Sequence, residues 1–210
     1  MERVKRRIFA GLSAVALAAG AITAAAPTSS AATTQCSSNC LTFAAEEYGS
    51  TYVAAIQARL VEQGSVVSLA GSSNFKGEDF RSLDEGTTTQ LWDDGLVPTA
   101  LAKNWPGYQM YEYEFTPYGQ DSNLCIGTAT AATNGTELSL RPCGVNNQTL
   151  WLPETDEAVN GFEPIIAGSD TRSTAPYVIT AGSPGAALTT HELASPEPSS
   201  QLWEEIVGIL

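Results

Sequence analysis

Gln90-Leu91-Trp92, Gln148-Thr149-Leu150-Trp151 and Gln201-Leu202-Trp203 are three near-identical phrases, each closing on a tryptophan. The tryptophans stand 59 and 52 residues apart, the interval of a repeated structural unit that must close against its neighbours to bury its apolar face. Counting back from each one gives a common register. Val67 lies 25 residues before Trp92 and Val178 lies 25 before Trp203, while Cys125 lies 26 before Trp151, the extra residue matching the longer middle phrase. Around these anchors stand Val66-Val67-Ser68-Leu69, Leu124-Cys125-Ile126-Gly127 and Tyr177-Val178-Ile179-Thr180. Each is followed by a turn and a second run ending near Leu83, Leu140 or Leu193, and each is preceded by an apolar run: Tyr52 to Ile56, Met110 to Phe115, and Phe162 to Ile166.

These runs are short and alternating rather than helical in period, and turn residues such as Gly64, Gly86, Asn134-Gly135, Asn160-Gly161 and Ser183-Pro184-Gly185 separate them. An all-β fold follows. Four strands in each of three copies give a six-stranded barrel closed at one end by hairpins, with pseudo-threefold symmetry: a β-trefoil. The expected repeats run over about 41–95, 108–155 and 161–207, with a long connection at 93–107.

The first 32 residues combine a basic start (Arg3, Lys5, Arg6, Arg7), an apolar run from Ile8 through Ala26 and small residues before Thr33. That pattern reads as a secretory signal peptide, leaving 33–210 as one soluble extracellular domain. The full chain carries a formal charge of −13. Cleavage leaves 6 Lys and Arg against 22 Asp and Glu, a charge of −16, which disfavours nucleic acid and anionic membrane as partners and fits solubility outside the cell. Four cysteines in an oxidising compartment pair, in one of three connectivities. The favoured pairs are Cys125 with Cys143, flanking the Asn134-Gly135 turn, and Cys36 with Cys40. The first encloses a loop worth about 3 kcal/mol in chain entropy.

On the register of the Gln-x-Trp phrases, and best in the second copy through Leu124-Cys125-Ile126, Asn134-Gly135-Thr136, Cys143 and Asn146-Asn147-Gln148, the chain resembles the ricin B-type lectins over nearly all of its predicted mature length. The resemblance implies that Trp92, Trp151 and Trp203 are core residues filling the space between copies. It also implies a shallow sugar site in each copy: an aspartate two residues after the first cysteine position, an aromatic ring two before the second, and an asparagine near the Gln-x-Trp. Here the aspartate positions hold Leu69, Gly127 and Thr180, the ring positions Leu83, Arg141 and Ala194, and the asparagine survives at Asn147 alone, against Thr89 and Ser200. A charge-assisted acceptor is worth about 1.5 to 3 kcal/mol, so the family's usual site is weakened in all three copies. The second copy is the best candidate for a working site, with Asn147 and Gln148 as hydrogen-bonding residues and Arg141 in place of the ring. The alternative is that Asn147 and Gln148 satisfy backbone groups in the turn before Trp151.

Trp105 in the long connection is either an exposed ring for a polysaccharide or protein partner, or a cap on the barrel opening. The lone histidine, His191, sits in a strand context unsuited to a base. No metal cluster, phosphate loop or nucleophile elbow is present, so the sequence points to no cofactor, no metal and no enzyme. Two functions remain: glycan or polysaccharide binding, and binding of an extracellular protein through loops, as a protease inhibitor or surface-interaction protein would.

Overall fold

The computed structural model describes residues 40–207 except positions 74, 75, 145, 159 and 173. The predicted signal segment and Cys36 lie outside the described residues. Cys40 is disulfide-bonded, and Cys125 and Cys143 are bonded to each other.

Among the described residues twelve strands occur in chain order: β1 (Leu41–Ala45), β2 (Tyr52–Ile56), β3 (Val67–Gly71), β4 (Phe80–Thr87), β5 (Gln109–Phe115), β6 (Leu124–Thr128), β7 (Thr136–Pro142), β8 (Leu150–Pro153), β9 (Ile165–Ala167), β10 (Tyr177–Thr180), β11 (Thr189–Glu192) and β12 (Trp203–Val207). Antiparallel pairing runs from β12 to β1, β4, β5, β8 and β9, and a bridge between Glu163 and Trp203 returns it to β12. This is a closed ring of six. The hairpins β2–β3, β6–β7 and β10–β11 cover one end and join one another through β7–β11 pairing and the bridges Val66–Ser139 and Ser68–Ala187.

The strand registers repeat three times and so define equivalent residues. First and second strands meet at Ala44–Val53, Glu114–Cys125 and Ile166–Val178. First and fourth strands meet at Leu41–Phe80, Tyr111–Trp151 and Glu163–Trp203, and each fourth strand meets the next first strand at Phe80–Phe115, Trp151–Ala167 and Trp203–Ala45. Phe80, Trp151 and Trp203 therefore occupy one position. All three are buried, at 0%, 0% and 1% exposure. Trp151 Nε1 donates to Ile126 O at 2.8 Å and Trp203 Nε1 to Ile179 O at 2.9 Å, which fastens each ring to its own hairpin. Phe80 has no such donor and instead packs edge-on between Phe43 and Phe115, with ring centroids 5.7 and 5.8 Å away.

Trp92 is thus a correction: it is 44% exposed and lies outside the core. The phrase Gln90-Leu91-Trp92 belongs to a short helix, α1 (Thr88–Asp93), because Thr87 and Gln90 form a capping box, with Thr87 N donating to Gln90 Oε1 at 2.9 Å and Gln90 N to Thr87 Oγ1 at 3.3 Å. Helix α2 (Thr99–Asn104) follows. The two helices form an insertion between β4 and β5 with an apolar cluster of their own, in which Leu91, Val97 and Leu101 meet Met110, Leu150 and Val178. The first-copy anchor moves as well. Val53, not Val67, matches Cys125 and Val178, so the shared count of 25 residues from Val67 to Trp92 is coincidence.

Candidate functional site

With the register corrected, the position two residues after the first cysteine position holds Ala55 in the first copy rather than Leu69, and Gly127 and Thr180 in the others. The residue across the hairpin from that cysteine position is Ala70, Arg141 or His191, so Leu83 and Ala194 are not its equivalents. None of the three copies offers a carboxylate at the first position, and only the third, with the His191 imidazole, offers a ring at the second.

In the second copy the space that an aspartate would need is filled. A Cβ built on Gly127 would lie 2.8 Å from Gln148 O and 2.8 Å from Thr149 Cγ2, so the turn before Trp151 occupies that volume. Beside it opens a cleft of about 220 Å³ lined by Gln63, Ala129, Arg141, Pro142, Asn146 and Gln148, with Thr149 at its base. Gln63 comes from the β2–β3 connection of the first copy and the rest from the second. Asn147 is partly buried but does not line the cleft; its neighbour Asn146 does.

The cleft wall is firmly built. Glu112 on β5 is buried and accepts from Gly144 N at 2.9 and 2.8 Å and from the Thr149 hydroxyl, while Thr149 Oγ1 also reaches Asn146 O at 3.1 Å. The Cys125–Cys143 disulfide joins β6 to the end of β7, with Cys125 opposite Arg141. Asn146 Oδ1 accepts from Gln148 N at 2.8 Å, an Asx turn that sets the backbone of the phrase. Glu112, Cys125 and Cys143 are close enough for a metal site, yet the two sulfurs are bonded to each other and offer no thiolate.

What remains open is side-chain hydrogen bonding. Among the described residues, the side chains of Gln63, Gln148 and Arg141 make no hydrogen bond or ion pair, and Arg141 Nε is buried without a partner. The other copies differ. Gln201 Nε2 donates to Glu192 O at 2.9 Å and its Oε1 accepts from Ala194 N at 3.0 Å, while Glu78, two before Phe80, accepts from Ser73 N and Ser73 Oγ at 3.0 Å. Gln148 stands three residues before its tryptophan, so Thr149 takes the buried place and Gln148 is left at the cleft. Gln63 carried no sequence signal for this site, since it lies in a connection whose spatial neighbours only the fold reveals, whereas Asn146 stands in the quoted phrase one residue before the asparagine that the spacing selects.

Trp105 is half-buried against the apolar cluster of the insertion, and its carbonyl accepts from the Thr88 hydroxyl. The exposed ring of that region is Trp92, whose Nε1 donates to Thr99 Oγ1 at 3.0 Å. Leu96, four residues on, is also 44% exposed, and Asp93 and Asp94 between the two help to line a broad acidic depression with Asp84 and Glu85. On the barrel wall, at the position equivalent to Tyr111, burial and then the Glu205 charge push the Glu163 carboxyl up to about 7. Among the described residues no helix is long and apolar enough to cross a membrane.

No protein-family model matches the chain, and no curated protein matches it by sequence. Solved structures match by shape. A designed three-fold symmetric protein, ThreeFoil, superposes with a TM-score of 0.58 at 13% identity over 81% of this chain and 99% of that one. The ricin B-like lectin of Macrolepiota procera, solved with lactose, gives a TM-score of 0.52 at 15% identity over 82% of this chain and 97% of the lectin. A protein described as BEL beta-trefoil gives 0.52 at 15% identity over 81% and 93%. At such identities the likeness concerns the fold, a mostly β, closed barrel of the trefoil kind.

Proposed function

We propose that this chain is a secreted, non-catalytic β-trefoil of the ricin B lectin-like kind, which binds carbohydrate at the cleft of its second copy. One observation carries the reading: three polar side chains, Gln63, Arg141 and Gln148, converge on one cleft with their hydrogen-bonding groups unused, on a wall held by a disulfide and a buried carboxylate. Sugar hydroxyls need such donors and acceptors, fixed in place before the ligand arrives. The site differs from the family's usual one because Gly127 has no room for an aspartate. Binding of the protein to a glycan and microbial-polysaccharide array, lost on Gln148→Ala in a variant with unchanged thermal unfolding, is the expected result. Binding that survives Gln148→Ala places the site elsewhere.

A second reading, a protein-binding trefoil, is favoured by one feature of the insertion. Trp92 and Leu96 are two exposed large apolar side chains four residues apart with Asp93 and Asp94 between them, the composition of an interface anchor. Its test is a Trp92→Ala variant, which loses capture of an extracellular protein partner and leaves array binding intact.

A further inference from the structure

Resting on the reading of the second-copy cleft as a sugar site, we infer that its ligand is an acidic saccharide, a sugar unit bearing a carboxylate that pairs with Arg141. The argument begins with charge. Acidic residues outnumber basic ones 23 to 10 in this chain, so an arginine has many available counter-ions. Arg81 takes two, Glu114 at 2.5 Å and Asp121 at 2.9 Å. Arg172 pairs with Glu192 at 2.7 Å and lies 4.8 Å over the Tyr177 ring. Among the described residues Arg141 and Arg59 take none, but Arg59 is exposed to solvent whereas Arg141 is partly buried in a cleft that no carboxylate lines.

Its placement is fixed. The side chain stands on β7 opposite Cys125, and its Cγ lies 3.2 Å from where a Gly127 Cβ would be, so the aliphatic stem rests on the bare glycine backbone. A guanidinium is planar, permanently charged and forked, and it matches a carboxylate through two parallel hydrogen bonds better than it matches a neutral hydroxyl. Its Nε is buried without an acceptor, a costly state that an oxygen seated against the guanidinium relieves. The remaining lining groups, Gln63, Asn146 and Gln148, are neutral amides able to donate to and accept from ring hydroxyls. At about 220 Å³ the cleft is smaller than the roughly 300 Å³ at which drug-sized pockets begin, which suits one sugar unit of a chain.

The test titrates the full protein with three short oligosaccharides of matched length: an oligouronate, its neutral methyl ester and a sulfated neutral glycan. The expected result is that the oligouronate binds about ten- to a hundredfold more tightly than its ester, weakening as salt is raised. Arg141→Gln abolishes that preference, and Arg141→Lys retains part of it because a point charge keeps the attraction without the fork. Equal binding of acid and ester by the unaltered protein overturns the inference while leaving the sugar-binding reading in place, and needs no variant that folds. Tighter binding of the sulfated glycan than of the oligouronate overturns the assignment of a carboxylate. An acid preference that survives Arg141→Gln places the recognising charge elsewhere. Silence of the folded protein toward all three, together with a neutral and acidic glycan array, removes both readings.

Discussion

The second and third copies share strand order, register and a buried tryptophan, yet they use the glutamine of the same phrase in opposite ways. In the third, Gln201 sits two residues before Trp203 and bonds the backbone at Glu192 and Ala194, so it belongs to the framework. In the second, one added residue puts Thr149 at that place, buried and bonded to Glu112, and leaves Gln148 beside the cleft with its amide unused. A single-residue change of spacing thus converts a structural amide into an available one. The motif as a string of letters does not separate the two cases; its distance from the tryptophan does.

The largest effect expected from this comparison lies in what the copies share. Phe80→Ala, Trp151→Ala and Trp203→Ala each cost about 3 to 5 kcal/mol in denaturant unfolding, whereas Trp92→Ala, which gives up a half-exposed ring and one hydrogen bond, costs about 1 kcal/mol. A Trp92 variant as unstable as the Trp151 variant would restore the register that the sequence spacing suggested. Next comes the filled aspartate position. Gly127→Ala forces a methyl group to 2.8 Å from Gln148 O and Thr149 Cγ2 and costs about 1 to 3 kcal/mol, while Thr180→Ala at the equivalent place in the third copy costs less than about 1 kcal/mol.

The glutamines give a sharper and smaller contrast. Gln201→Ala removes the partner of two backbone groups and costs about 1 to 2 kcal/mol, but Gln148→Ala leaves thermal unfolding nearly unchanged and acts on ligand binding. Equal stability losses for the two would break the distinction on which the site rests.

The smallest effect separates the copies where the first and fourth strands of each meet, at the equivalent residues Leu41, Tyr111 and Glu163. Burial, then the Glu205 charge, raise the folded-state Glu163 carboxyl from its ordinary 4.5 to about 7, so folding favours the protonated form. This contribution is complete below about pH 4.5 and is lost as pH rises through about 7. Allowing for its partial exposure, stability falls by about 1 kcal/mol across that window from this group, and Glu163→Gln flattens that part of the pH profile. Chemical denaturation at pH 4.5, 6 and 7.5 reads it directly. A parallel fall in the variant would assign the slope to other carboxyls.

Much of the barrel was legible because strands leave short alternating runs, and two of the three phrases do mark the fourth strand of a copy. The first copy was misread for a physical reason. Its fourth strand begins at Phe80, behind Glu78-Asp79, where an acid and a phenyl ring stand for the amide and the indole, and neither letter matches the phrase. The decoy at Trp92 carried its own signature, Thr87 three residues before Gln90, which announces a helix start. Six residues of α1 are too few to show a helical period, so the cap was the sole local clue. At the site, Arg141 and Gln148 were legible through the motif, and Asn147 was named one residue away from the asparagine that lines the cleft. Gln63 was beyond reach, because its place depends on the hairpin of one copy leaning on the hairpin of the next.

The bridge between Glu163 and Trp203 has one more consequence. On one flank β12 is laced to β1 along its whole length, from Trp203 opposite Ala45 to Val207 opposite Leu41; on the other, the ring is shut by one reciprocal pair of bonds, Glu163 N to Trp203 O and Trp203 N to Glu163 O, each 2.9 Å. The cylinder is therefore fastened by a clasp rather than a seam. Deuterium is expected to reach the Glu163 amide before it reaches the β1 amides bonded to β12.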